Sequence, residues 1–324
     1  MHRRSLIHSA AAACLLPGLA RAQSFPSKQL RLVVSTPPGG GMDIVARVLA
    51  QELTRSANLS VMVDNKPGGA GAVATREMLR SPPDGHTVLL ANVGILAVNP
   101  YAMKDAGYNP PVDIAPVCLA VDFSNIVVVH PDVPARTLAE YLELGRRPDG
   151  IDYGTAGIGS AGHLAGELLR SRSGARLNHV PYRGGGPAFQ DVIAGRIDYI
   201  CNYISIGAAA VKSGQVKALA TLARERTSLL PDLPTADQQG LKDFDVSAWN
   251  AILLPKSATP AMVAKLNAAV SKALDNPALR ERLDAIGVIP AGPDRRSPEY
   301  LRQFINAEVA KWAGPVKAGG LQMD

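Results

Sequence analysis

Apolar positions along this chain fall into short continuous runs, each broken by a Pro/Gly-rich turn and followed by apolar residues at three- and four-residue spacing. Leu30, Val33 and Val34 form the first run, and Pro37, Pro38, Gly39, Gly40 and Gly41 interrupt it. Val45, Val48, Leu49 and Leu53 then recur at helical spacing. The pattern predicts a strand over 30–36, a glycine loop, and a helix over 42–56. A second unit of the same design occupies 151–169. A strand ends at Thr155, Gly157-Ile158-Gly159-Ser160 makes the turn, and a helix carries Leu164, Ala165, Leu168 and Leu169 on one face.

Elsewhere, strands are predicted over 61–64 and 87–92, with a helix bearing Val73, Met78 and Leu79 between them. The period is lost from Val93 to Pro116. Extended runs follow over 117–121 and 125–130, then a helix from Pro134 to Leu144. Strands are expected over 178–182, 197–202 and 216–222, with a helix over 187–194 that stops at Gly195. An apolar strand over 248–254 precedes three helices opened by Thr259-Pro260, Asn276-Pro277 and Ser297-Pro298. Repeated strand–helix–strand units with near-continuous apolar strands imply an α/β fold of two lobes, each a mostly parallel sheet flanked by helices. The runs over 117–130 are where the chain crosses between lobes, and 248–254 is where it returns. Lobe 1 is therefore expected at 23–122 plus 225–324, and lobe 2 at 123–224.

Composition places the chain among well-cored globular proteins, with 47% hydrophobic and 19% charged residues. Residues 1–22 read as a cleaved signal peptide: a basic start at Arg3-Arg4, an apolar stretch over 10–19, and Ala20-Arg21-Ala22 before Gln23. Export to the periplasm is expected, by the general secretion route or, given Arg3-Arg4, the twin-arginine route. Removing residues 1–22 takes away three arginines and no acid, so the formal charge falls from +6 to +3. A charge so small, with 5% aromatics and no basic run between them, argues against nucleic acid as a partner. Cys118 and Cys201 remain, each in an apolar run, and are expected either as a pair or as buried free thiols.

The chemistry lies at the turns. Glycines at 39–41 leave backbone N–H groups open where a helix begins, an arrangement suited to a carboxylate or a phosphate. Asp43 stands in the first turn and either caps free N–H groups or meets the ligand. Gly40 is expected to need both room and a positive φ. Gly157-x-Gly159-x-x-Gly162 matches a dinucleotide turn, but the following strand leads to Arg183 with no acid for a ribose hydroxyl. A tight turn without ligand remains an alternative reading. Ser160 and His163 would be the core of an exported enzyme acting on a carboxylate or a nucleotide, although no nucleophile-elbow spacing surrounds Ser160. His86, His130 and His179 stand isolated, with no metal-ligand spacing. Tyr182-Arg183-Gly184 forms a third glycine turn, and Asn202 and Ser205 lie past another strand. All of these positions follow carboxyl ends of strands, where open α/β sheets bind ligands.

The ordered set Pro38-Gly39-Gly40 with Asp43 and Arg47, Asn65-Lys66-Pro67-Gly68, Pro83-Asp84-Gly85, Tyr153-Gly154 through Gly159-Ser160 and His163-Leu164, His179-Val180-Pro181-Tyr182-Arg183-Gly184, and Trp249 with Pro255 closely resembles the Bug family. These are periplasmic binding proteins of tripartite tricarboxylate transporters. The resemblance runs over the whole chain after residue 22. It implies a flytrap that closes on a small organic carboxylate and hands it to membrane transporter subunits, as a monomer with no cofactor or metal. It implies ligand contact at Thr36, Gly39, Gly40 and Asp43 from lobe 1, and at Thr155, Gly159, Ser160 and His163 from lobe 2; Pro38, Gly41 and Gly157 are expected beside them as members of the same turns. Asn92, Arg183 and Ser205 would be selective neighbours, and Tyr182, Gly184 and Asn202 are candidates from their places at the third turn and the strand end. Asn92-Val93-Gly94 departs from the family's pattern, where small hydroxyl residues are frequent.

Overall fold

The computed structural model describes residues 25–318, so the expected signal peptide at 1–22 lies outside the described residues. Two sheets divide the strands between them. The first unit runs β1 (Leu30–Val34), α1 (Gly41–Ala57), β2 (Val61–Asn65), α2 (Ala72–Arg80) and β3 (Thr87–Asn92). The aperiodic stretch that follows is not a loop. It holds a wide π-type turn over Gly94–Val98, short helices α3 (Asn99–Ala102) and α4 (Pro110–Asp113), and then β4 (Ile114–Phe123). Burial on every side explains the missing period, because Gly94 through Val98 are all enclosed and need no polar face.

The chain then enters the second sheet with β5 (Asn125–Val129), α5 (Leu138–Leu144), β6 (Ile151–Thr155), α6 (Ala161–Ser173), β7 (Leu177–Pro181), α7 (Gly185–Ile193), β8 (Tyr199–Tyr203), α8 (Ile204–Lys212) and β9 (Lys217–Thr221). It returns with β10 (Ala248–Pro255), α9 (Pro260–Leu274), α10 (Pro277–Asp284), β11 (Val288–Pro290) and α11 (Pro298–Ala318). The first sheet has the order β11-β4-β10-β3-β1-β2 and the second β7-β6-β8-β5-β9.

Both sheets are mixed rather than plainly parallel. β1 pairs parallel with β2 and β3, and β6 with β7 and β8. β10 and β5, the first strand each sheet receives from a crossing, insert antiparallel. A strand arriving from the other lobe needs no crossover helix, so nothing imposes the parallel direction. The helix predicted from Pro134 begins only at Leu138, capped by Thr137, and α8 was not expected at all.

Asn125 laces the crossings together. Its Nδ2 donates to Val246 O at 2.7 Å, and its backbone O accepts from Leu222 N–H at 2.8 Å. Beside them, Glu308 of α11 accepts both indole N–H groups, Trp249 Nε1 at 3.0 Å and Trp312 Nε1 at 3.1 Å. After β9 the chain stays near the second sheet for a while. Thr235 bridges to Thr221, and Leu233 is buried with Ile126, Phe189 and Ile200. Cys118 and Cys201 are both free and buried. Among the described residues no helix is long and apolar enough to cross a membrane.

Candidate functional site

One turn is built twice. After β1, Gly40 N–H donates to Pro37 O at 3.1 Å and Gly40 leads into α1 at φ −71°, ψ 157°. After β6, Ser160 N–H donates to Gly157 O at 3.2 Å and Ser160 leads into α6 at φ −68°, ψ 159°. In each copy a glycine N–H is taken by the side chain four residues on. Gly39 N–H donates to Asp43 Oδ2 at 2.9 Å, and Gly159 N–H donates to His163 Nδ1 at 3.1 Å. The positive φ falls on Gly39 (82°), Gly157 (122°) and Gly159 (75°), where only glycine is unstrained. Gly40 does not need it. What disfavours a larger residue at Gly40 is space, since a Cβ would sit 3.2 Å from Thr36 Cβ and from Pro37 O, closer than ordinary van der Waals contact.

The donors left open differ from those the sequence suggested. Gly39 and Gly159 have spent their N–H groups on Asp43 and His163, and Gly40 and Ser160 on their own turns. Among the described residues, the N–H groups of Gly41, Met42 and Asp43 in α1, and of Ala161 and Gly162 in α6, have no acceptor. These first-turn donors sit at the positive end of each helix dipole. Thr36 Oγ1 is buried without a partner beside the first set.

Asp43 is an anchor of its loop. It is buried and also accepts from Arg47 Nε at 2.9 Å and Asn65 Nδ2 at 2.9 Å. Burial alone would raise its pKa, but the bonds from Arg47, Gly39 and Asn65 outweigh that and hold the carboxyl below its ordinary range.

His163 has an unexpected neighbour. His179, which reads as isolated in the sequence, lies against it on β7, and Thr155 Oγ1 joins the pair, 2.6 Å from His179 Nε2 and accepting from Gly157 N–H at 3.1 Å. Burial first, then the Arg170 charge, lowers the His163 pKa to about 4. For His179 burial, followed by His163, does the same, to about 4. No signal in the sequence links residues on a helix and a separate strand in this way.

The rival chemistry finds no support. Ser160 Oγ accepts from the backbone N–H of His163 at 3.3 Å as a helix cap, while the His163 ring faces Gly159, so no nucleophile–base pair forms. Of the dinucleotide-like glycines, Gly162 is required for packing: any Cβ there would collide with the Cys201 carbonyl of β8. Among the described residues no cluster could hold a metal ion.

The remaining positions surround these turns to different degrees. Asn92 ends β3, and its Oδ1 accepts from Ile95 N–H at 3.2 Å, capping the π turn. The Tyr182 hydroxyl donates to Asp191 Oδ2 at 2.6 Å, towards its own helix, while Tyr182 O passes close to Gly157. Arg183 is exposed and has no hydrogen bond or ion pair among the described residues. Gly184 precedes α7 at φ 120°. Asn202 lies within β8 opposite Ile126, not past it, and Ser205 lies in the first turn of α8.

The second turn meets the first lobe beyond the end of β3. Gly94, just after β3, abuts the Gly159 carbonyl, and Ile95 and Leu96 share one buried cluster with Leu164 and Ala165 of α6. Residues 45–321 match the sequence profile of the tripartite tricarboxylate transporter family receptor. A protein of R. palustris solved with adipate is 29% identical, with TM-score 0.83 over 91% of this chain and 98% of that one. The periplasmic binding protein BugD is 32% identical, with TM-score 0.81 over 93% of this chain and 100% of that one. MatC from Rhodopseudomonas palustris, solved with bound malate, is 32% identical, with TM-score 0.80 over 90% of this chain and 100% of that one.

Proposed function

The chain belongs to the tripartite tricarboxylate transporter receptor family, and from that premise we propose that it captures a small organic carboxylate in the periplasm and presents it to membrane subunits of such a transporter. Members of the family are solute-binding receptors rather than enzymes. The observation that carries the reading is the doubled turn. Open N–H groups at Gly41–Asp43 and at Ala161–Gly162 offer one donor set from each lobe, with no positive side chain required. Two relatives were solved with adipate and with malate, which points to dicarboxylates as the class to try first.

In this reading Thr36, Gly41 and Asp43 hold one carboxylate edge through hydroxyl and backbone, and Ser160 and its helix start hold the other. Pro38, Gly39, Gly40, Thr155, Gly157, Gly159 and His163 shape the two turns. Asn92, Tyr182, Arg183, Gly184, Asn202 and Ser205 border the rest of the ligand. The lobes divide at Ser124 and within 222–247, and the protein acts as a monomer. Because a ligand meets both donor sets only when the lobes are together, binding shifts the population towards the closed form.

The test is calorimetric titration of the protein, freed of residues 1–22, with a panel of organic acids that includes adipate and malate. Saturable heat at one ligand per chain is expected. Silence across a broad panel would overturn the reading.

A further inference from the structure

We infer that Gly94 sets how far the two lobes close, and so governs affinity from outside the carboxylate turns. The inference deepens the binding reading above and rests on it for its effect on affinity, though not for its effect on geometry. Gly94 is buried in the π turn after β3 and is not among the glycines with positive φ, so its backbone would accept any L residue. What forbids one is the other lobe. A Cβ at Gly94 would lie 2.9 Å from the Gly159 carbonyl oxygen, inside van der Waals contact, and 3.3 Å from Asn92 Oδ1.

At 3.3 Å the Asn92 amide need give only a few tenths of an ångström and can keep its bond from Ile95 N–H, but the Gly159 carbonyl cannot move. Gly159 is held at φ 75° by the turn, and its N–H is fixed on His163 Nδ1. His163 in turn is wedged against His179, and His179 against Thr155 Oγ1. A side chain at position 94 is therefore relieved only by moving the lobes apart. That retreat would carry the α6 donors away from the α1 donors and lengthen every bond to a ligand held between them.

The experiment uses spin labels on Met62→Cys and Arg172→Cys, exposed positions on β2 and α6 that lie outside the turns. Cys118 and Cys201 are buried and do not compete for label. Distance distributions and calorimetric titrations are recorded for the parent, Gly94→Ala and Gly94→Val, without ligand and with malate or adipate. The parent is expected to show a short-distance population that both variants lose while remaining folded, with an unligated melting temperature lowered as the cluster of Ile95, Leu96, Leu164 and Ala165 opens. Gly94→Ala is expected to weaken binding about tenfold. A short-distance population retained in Gly94→Val, or absent from the parent under every condition, overturns the inference. If the parent closes and Gly94→Val does not, yet neither acid binds, the closure role stands and the choice of those two acids fails instead.

Discussion

His163 and His179 lie face to face, ring centroids 3.8 Å apart and planes 10° from parallel, directly under the lobe 2 turn. Two stacked imidazolium ions would repel each other, and a protonated His163 could no longer accept the Gly159 N–H. Both rings are therefore neutral in the folded state, with pKa values lowered to about 4.

The sign of the pH dependence follows. An unfolded chain takes up protons near pH 6.5 that the folded chain refuses until about pH 4, so stability is fully present above about 6.5 and lost as pH falls towards 4. For His163, the more buried ring, the loss amounts to about 3 kcal/mol. Urea unfolding across this range is expected to show the slope, and His163→Asn, which keeps an acceptor but cannot titrate, is expected to reduce it to the share that His179 contributes. An unchanged slope in that variant would refute the assignment.

Thr36→Val separates binding from folding. Its hydroxyl is buried without a partner, so an isosteric methyl costs the unligated protein nothing and spares an unsatisfied group. If the hydroxyl serves the ligand, affinity falls by about 1–3 kcal/mol while the unligated melting temperature holds or rises. Titration calorimetry beside thermal melts checks both halves.

Asp43→Ala is expected to behave differently, losing stability and affinity together. The change strands Gly39 N–H, Arg47 Nε and Asn65 Nδ2, three donors that one carboxylate now serves. A stability loss of about 2–3 kcal/mol is expected for so buried a charged acceptor. A melt identical to the parent's, with affinity alone reduced, would move Asp43 from anchor to direct ligand contact.

Glu308→Gln tests the bracing of the crossing by α11. One carboxylate oxygen accepts from both indoles and the other from Lys311 Nζ at 3.2 Å, so an amide leaves the indoles a neutral acceptor and turns its NH2 on the ammonium. A loss of about 1–3 kcal/mol is expected, with a shift in emission, because Trp249 and Trp312 are the only tryptophans in the chain. Fluorescence-monitored urea unfolding reads both at once.

The two strand–glycine–helix turns were legible because their signals are local. Val45, Val48, Leu49 and Leu53 mark a helix face within three turns, and the glycines mark the turn itself. That locality also produced the errors. Glycine N–H groups look free in a sequence, yet Gly39 and Gly159 had already given theirs to Asp43 and His163, and only coordinates show the spending. Gly40 looks like a positive-φ glycine, although the strain sits on Gly39 and the limit at Gly40 is Thr36 and Pro37.

By itself, then, the chain's pattern determined the α/β alternation, the two strand–glycine–helix units and the family to which they belong, since each rests on residues within one turn or one strand of each other. Tertiary structure alone decided the antiparallel entry of β5 and β10, the stacking of His179 on His163, and the meeting of Gly94 with the Gly159 carbonyl. Those contacts join residues from separate elements or lobes, and no periodicity along a chain can encode a distance that only folding closes.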